Sequence, residues 1–492
     1  MKLFLVGLAV LGIGYMLYSK LVEKIFGPDD RETPAKSCRD GLDYVELPDW
    51  KNKLIQLLNI AGVGPVIGVI IGIKFGDIVF LILPVGCILA GAVHDFTAGM
   101  MSLRNKGANL TGLIRMTTGK AVYVIFSIFM ILALLLVVAV FINIPAQLFA
   151  ALVDFKGELF CGIIAIFIYY ICATLFPVDK IIGKVYPLFG LLLILGTVAL
   201  FGRLIYEGIS DPALLTESET FKAGMFTAAK NMPLIPMLFV TIACGILSGF
   251  HATQAPIVAR TMSSEHQARG VFFGMMVAEG FIGMVWAAGA LAVYNRMPLM
   301  MKKGATEVLS TITNLFLTEK ISLLVLISVI ILAITSGDTA MRSLRLSLAE
   351  MFKLDQRPVI NRILLVVPLI LIVTGLLFWS NIDAKSFNML WNYFAWSNQV
   401  MAAFTLLAGT IYLTALKKPA FITILPGVFI TFVVSAYILW ISPEHGGPVG
   451  FGLELYDAFI IAGFLSFLLF VWALRRGNEL SGKQTSDGVL WK

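Results

Sequence analysis

Apolar runs of about 20 residues recur from one end of the chain to the other, separated by polar punctuation. That is the length an α-helix needs to cross ~30 Å of hydrocarbon. Thirteen such segments are predicted: Leu3 to Tyr18, Leu54 to Ile73, Asp77 to Leu103, Ala121 to Ile144, Leu159 to Phe176, Val185 to Tyr206, Met232 to Phe250, Val271 to Tyr294, Ile321 to Ser336, Arg362 to Trp379, Met389 to Leu413, Phe421 to Trp440 and Tyr456 to Leu474. The runs are continuously apolar, whereas strands of a membrane barrel alternate and are about half as long, so helices are expected. Lys2 precedes the first run as in a signal peptide, but GYMLYSK has no small-x-small cleavage site, and the run is read as a membrane helix.

Composition agrees. Of 492 residues, 59% are hydrophobic and 14% charged, against roughly 25% charged in a soluble domain, which excludes an ordinary soluble globule. The formal charge of +7 gains a meaning once the spans are placed. With the amino terminus outside, about 26 Lys and Arg fall on inner loops and the carboxyl tail and about 10 outside, with Arg203 inside a span. This imbalance predicts an odd helix count in a multi-pass membrane protein, carboxyl terminus in the cytoplasm, and removes any reason to invoke nucleic acid. The polar pieces Lys20 to Lys53 and Arg296 to Lys320 are too short for separate cores. The second is expected to carry a short amphipathic helix over the outer face. Of the five cysteines, Cys38, Cys87, Cys161, Cys172 and Cys244, four lie in apolar runs and are read as packing residues, without metal spacing or a disulfide framework.

Two spans carry breaks that a plain anchor would not need. Asn59-Ile60-Ala61-Gly62-Val63-Gly64-Pro65 places two glycines and a proline in the middle of the second span. It reads as a kinked packing helix or as a discontinuous helix, whose irregular backbone persists at membrane depth only where it lines a cavity. The seventh span ends in Ser248-Gly249-Phe250-His251-Ala252-Thr253-Gln254-Ala255-Pro256. If the second and seventh spans each open a five-helix repeat, the breaks fall at the same place in each, and an odd repeat inverts the second copy. The expected fold is therefore all-α: about 13 transmembrane helices, with a LeuT-like 5+5 inverted-repeat core and flanking helices. The divisions are 1–20, an amino-terminal helix; 21–53, a cytoplasmic loop; 54–206 and 232–413, the two repeats; 421–474, two further helices; and 475–492, a cytoplasmic tail.

Ionisable groups within spans are functional candidates because hydrocarbon makes them costly. His94 and Asp95 lie in the third span and suit proton coupling, or a structural pair near the inner surface; Glu279 lies in the eighth. The ninth span ends in Thr335-Ser336-Gly337-Asp338-Thr339-Ala340-Met341-Arg342, whose hydroxyls and carboxylate are hard oxygen ligands for sodium, or else an Asp338–Arg342 pair. Asn398 and Gln399 interrupt the eleventh span and suit helix-to-helix hydrogen bonding, with a gating or substrate contact as the lesser alternative. HExxH, a nucleophile elbow and a Walker loop are all missing, and His94, His251, His266 and His445 have no metal spacing, so neither an enzyme nor a resident metal or cofactor is expected.

The runs AGVGPVIG, LAGAVHDF, SGFHATQAP, TSGDTAMR and LWNYFAWSNQ, in that order, resemble the signatures of the carbon starvation CstA family of inner-membrane transporters, over about Leu42 to Leu413. The resemblance implies placement in the inner (plasma) membrane and uptake of peptides or pyruvate, driven by protons, on a LeuT-like fold. Relatives often carry Gln at the position of His94, and Thr-Leu-Asp where this chain reads Ser-Gly-Asp; the chain is also shorter than the long members. The combined expectation is a secondary transporter importing a small carboxylate-bearing nutrient by proton symport. Gly62, Gly64, Pro65, Ser248, Gly249, His251, Thr253 and Gln254 would be at the substrate, and His94, Asp95, Glu279, Thr335, Ser336, Asp338 and Thr339 at the coupling ion. The alternatives are a sodium-coupled carrier and a passive channel for small organic anions. Oligomeric state is left open.

Overall fold

The computed structural model describes residues 1–40, 43–175, 179–219, 232–355, 358–445 and 447–481. Within those residues each of the thirteen apolar segments forms helix. The expected end of the fifth span at Phe176 and the tail beyond Ser481 lie outside them.

The chain opens with α1 (Lys2–Phe26), which stops at Gly27 in the left-handed conformation, φ 59°, with its N–H on the Glu23 carbonyl. α2 (Asp49–Ile60) and α3 (Val63–Gly72) are one span bent by 48°. Gly62 between them is extended, and Pro65 sits in the first turn of α3, where its missing N–H costs no helical bond. α4 (Val79–Arg104) contains a π-turn at Cys87–Gly91. A short α5 (Leu110–Thr118) leads to α6 (Lys120–Ala150), α7 (Glu158–Leu175) and α8 (Asp179–Ser210).

The seventh segment is cut into α9 (Leu234–Thr241), α10 (Ala243–Ile246) and α11 (Gly249–Ala259), with Leu247 and Ser248 extended. The expected end at Phe250 is corrected: the break lies earlier, and the polar run from His251 to Pro256 is itself helical. α12 (Glu265–Arg296) has a second π-turn at Arg269–Gly274. The expected amphipathic helix is α13 (Ala305–Phe316), packed across α3, α12 and the start of α14. α14 (Glu319–Phe352) corrects the reading that the ninth span ends at Ser336. Its 34 residues span about 50 Å, with good helix formers in Met341–Phe352 and a left-handed stop at Lys353, φ 53°. α15 (Val359–Ser380), α16 (Ala384–Ala415), α17 (Phe421–Trp440) and α18 (Leu455–Leu480) complete the order.

By length and apolarity, nine helices among the described residues can cross a membrane, ten when α2 and α3 count as one bent span. The other three expected segments differ for separate reasons. α7 has a shorter apolar run, α16 is long but carries Asn392, Ser397, Asn398 and Gln399, and the seventh segment is broken twice. Burial separates the centre from the rim: α12 buries 72% of its apolar window, whereas α1 and α18 bury 22% and 28% and present apolar side chains outward, as lipid-facing helices do. α6 lies along α14 and α7, while α4 packs on α11 and α12, and α3 on α12. Cys161 and Cys172 correct the packing-residue reading, being exposed on α7; Cys87 and Cys244 are buried, and all five thiols are free.

Candidate functional site

The two breaks meet. A Cβ on Gly64 would stand 2.9 Å from Cys244 Cβ and Sγ, so glycine here lets the first broken helix pack directly on the Cys244 side chain of the second. Around them closes a cavity of about 10 Å³, room for about one water. It is lined by Asn59, Gly64 and Pro65 of the first broken helix, Cys244, Ser248, Phe250 and His251 of the second, Ser336, Asn398, Phe141 and Phe394. Half-helix ends supply N–H groups without intrahelical partners and a positive dipole end, chemistry that suits an anion.

Of the sequence-predicted substrate residues, Gly64, Pro65, Ser248 and His251 line this cavity. Gly62 and Gly249 do not; they are close-approach positions. A Cβ on Gly62 would fall 2.9 Å from Ser336 Oγ, and one on Gly249 would fall 2.5 Å from the Asn398 carbonyl oxygen and the Ala402 nitrogen. Thr253 and Gln254 are also outside the lining: Thr253 Oγ1 donates to Phe250 O at 2.7 Å, and Gln254 Nε2 to Thr253 Oγ1 at 2.9 Å and Ser343 Oγ at 3.5 Å.

Behind the cavity stands a chain of ionisable side chains. His251 Nδ1 is 3.1 Å from Asp95 Oδ2, and Asp95 Oδ1 is 2.8 Å from His94 Nδ1. The other face of the same imidazole, Nε2, is 3.6 Å from Glu279 Oε2, an ion-pair distance longer than a hydrogen bond. Their exposure is 2% for His251 and 0% for the other three. His94 Nε2 and both Glu279 oxygens make no hydrogen bond among the described residues. Two acids and two imidazoles buried this close together form one coupled group, whose charge would depend on how many protons it holds. α4 brings Asp95 four residues past one π-turn, and α12 brings Glu279 five residues past the other.

The hydroxyl cluster divides. Thr335 Oγ1 and Thr339 Oγ1 donate to Leu332 O and Thr335 O of their own helix, both at 2.9 Å. Asp338 Oδ2 lies 3.7 Å from Arg342 Nη2. Ser336 alone of the group lines the cavity and faces the Gly62 break. Asn398 reaches the cavity as well, while Gln399 Nε2 donates to Phe239 O at 2.7 Å. Among the described residues no three His, Cys, Asp or Glu are placed to hold a metal ion.

Sequence reasoning named Asn59 only as part of the first break and Cys244 only as packing, and missed the aromatic wall and a second polar cluster at the far end of α4. There Arg104 Nη2 and Nε grip Glu265 at 2.8 and 3.0 Å, both side chains buried, while Arg104 also donates to Phe26 O at 3.1 Å and Gly27 O at 2.7 Å. Lys418 reaches the same Phe26 carbonyl. Asp29 N donates to Glu265 at 3.3 Å, and Arg31 hydrogen bonds hold the Asp29 carboxyl below the usual carboxylate range. The knot ties the end of α1 to α4, α12 and the α16–α17 turn.

Comparison with known proteins gives consistent results. The family described as "Carbon starvation protein CstA" matches residues 1–154, 148–316 and 292–436. An uncharacterized membrane protein of Haemophilus influenzae is 40% identical over 331 residues, 58% of this chain and 89% of that one. A peptide transporter CstA of Mycobacterium tuberculosis is 27% identical and a pyruvate/proton symporter BtsT of Escherichia coli 25% identical, each over 56% of this chain. The matches cover 44% and 46% of those two proteins, so this chain aligns with less than half the length of either. Among solved structures, a manganese transporter of Eremococcus coleocola superposes with a TM-score of 0.55 at 14% identity, covering 90% of this chain and 99% of that one. A Na⁺-coupled sialic acid symporter gives 0.51 at 13% identity, covering 97% of each. At such identities the likeness is one of fold, that of LeuT-like transporters.

Proposed function

The chain belongs to the carbon starvation protein CstA family, and from that premise we propose that it is a secondary active importer of a small carboxylate-bearing nutrient, a pyruvate-like acid or a short peptide or amino acid, working by alternating access and proton symport. The observation that carries this reading is the position of His251. Its ring lines the cavity between the two breaks and touches Asp95 on one side and faces Glu279 on the other. A carboxylate arriving at the half-helix ends would change the field at His251 and hence the number of protons the cluster holds. Protons and substrate are thereby linked without a bound cofactor.

The five-plus-five arrangement, 54–206 and 232–413, belongs to the same proposal. It is supported by the two breaks and by a π-turn followed at four or five residues by an acid in the helix after each break. π-turns of this kind are frequent at functional sites. The orientation, with the amino terminus outside and α13 over the outer face, rests on the distribution of Lys and Arg, and the inner-membrane placement on the family. Sodium coupling has one observation in its favour, the buried Ser336 hydroxyl facing Gly62.

Counterflow in proteoliposomes separates a carrier from a pore. Vesicles preloaded with unlabelled pyruvate or L-alanyl-L-alanine should draw in the labelled compound transiently above equilibrium. Simple equilibration without overshoot for either compound would reject the carrier.

A further inference from the structure

A larger cavity, about 820 Å³, opens at the end of the bundle where α13 lies, between α3, α6, α9 and the start of α16. That is within the range of small-molecule sites, roughly 300–1,000 Å³. A row of rings runs from its wall to the lining of the small central cavity. Trp391 and Phe394 stand 5.2 Å apart, Phe394 and Phe141 5.9 Å, and Phe141 and Phe250 6.2 Å, centre to centre. Trp391 lines the large cavity and Phe394, one turn along α16, lines the small one.

The polar lining includes Lys302, Lys303, Glu307 and Asp383 towards the opening, and two less exposed side chains, Trp391 and Lys74, have donor capacity to spare. Trp391 is 5% exposed, and its indole N–H has no hydrogen-bond partner among the described residues. Leaving such a donor buried and unpaired is costly, and an incoming acceptor removes the cost. Lys74 donates to the Met301 carbonyl at 2.8 Å and lies 5.7 Å over the Tyr294 ring, which fixes the ammonium while using one of its three protons. Ile67, Ile71 and Met237 supply apolar surface beside them.

We propose that this cavity is a binding site in its own right for an organic acid: Lys74 and the Trp391 N–H receive carboxylate oxygens, and the aliphatic wall receives the body of the molecule. In this conformation the central cavity has room for about one water, so an entire small acid is seated first above the ring row, and Trp391 places it against the floor that must part. This rests on the transport reading for the direction of travel, but the site would bind whether or not uptake follows.

Equilibrium binding of labelled pyruvate and of L-alanyl-L-alanine to the purified full chain tests it. Lys74→Gln and Trp391→Phe are each expected to weaken binding about tenfold, the loss of one hydrogen bond to a charged group, with Lys74→Arg restoring it. Trp391→Phe keeps a ring in the row, and a monodisperse profile with an unchanged melting point would show that the fold is intact. His251→Gln should abolish uptake yet keep wild-type binding at this site. Binding unchanged by Lys74→Gln and Trp391→Phe, binding lost in His251→Gln, or no binding of either probe at millimolar concentration would overturn the site. Binding with these sensitivities but no uptake by the wild type would instead overturn the transport reading and leave the site standing.

Discussion

His251 and Asp95, 156 positions apart in the chain, stand 3.1 Å apart from Nδ1 to Oδ2 inside the bundle. The contact joins the second broken helix to the acid of α4, and the same ring turns its other nitrogen towards Glu279 of α12. A side chain on the cavity wall thus links the place where substrate would sit to two buried acids.

Glu279→Gln should separate transport from coupling. The amide keeps the volume but cannot take a proton, so counterflow is expected to persist within a few-fold while accumulation against a gradient falls at least about tenfold. Equal loss of both activities would place Glu279 in the framework instead.

Arg104 and Glu265 form a buried pair, and breaking one side costs more than replacing both. Arg104→Met alone should destabilise by about 3 kcal/mol because it removes the main partner of the buried Glu265 carboxylate, leaving it the Asp29 N–H at 3.3 Å and Arg31 at 3.5 Å. Arg104→Met combined with Glu265→Leu should recover much of that loss, as read from thermal unfolding in detergent. Additive losses would mean that the bonds to Phe26 and Gly27, not the ion pair, carry the stability.

The glycines at the two breaks should respond differently to alanine. At Gly249 the new methyl would meet backbone atoms of Asn398 and Ala402, which cannot turn aside, and about 1–3 kcal/mol of destabilisation is expected. At Gly62 it would meet only the Ser336 hydroxyl, so Ser336→Ala should rescue much of the Gly62→Ala defect in a double-mutant cycle. A lack of coupling would show that the two groups do not touch.

Ser336→Ala also tests the choice of ion. With proton coupling, uptake driven by a pH gradient should remain within a few-fold of wild type, because the Ser336 hydroxyl makes no hydrogen bond to His251, Asp95 or Glu279. A loss of more than about tenfold, restored by raising sodium, would favour sodium.

Features with local causes were legible in the sequence. The bend at Ala61 and Gly62 follows from Gly62, Gly64 and Pro65, and the apolar face of α13 was visible in Arg296 to Lys320. Features that depend on distant partners were not. Cys244 reads as apolar packing until Gly64 is placed against it. The run Ser336 to Arg342 looked like a helix end because polarity usually marks the membrane surface; here neighbouring helices bury Ser336 and Asp338, and the helix continues. Arg104 and Glu265, 161 residues apart at the ends of two helices, matched the pattern of surface charges and gave no sign of meeting.

Uptake of labelled pyruvate and of L-alanyl-L-alanine into proteoliposomes, driven by an imposed inward proton gradient in sodium-free buffer, tests the account most directly. The wild-type chain should concentrate at least one of them and lose that accumulation when a protonophore collapses the gradient, and His251→Gln should show none. Accumulation that ignores the proton gradient and requires sodium, or that survives His251→Gln, would contradict it.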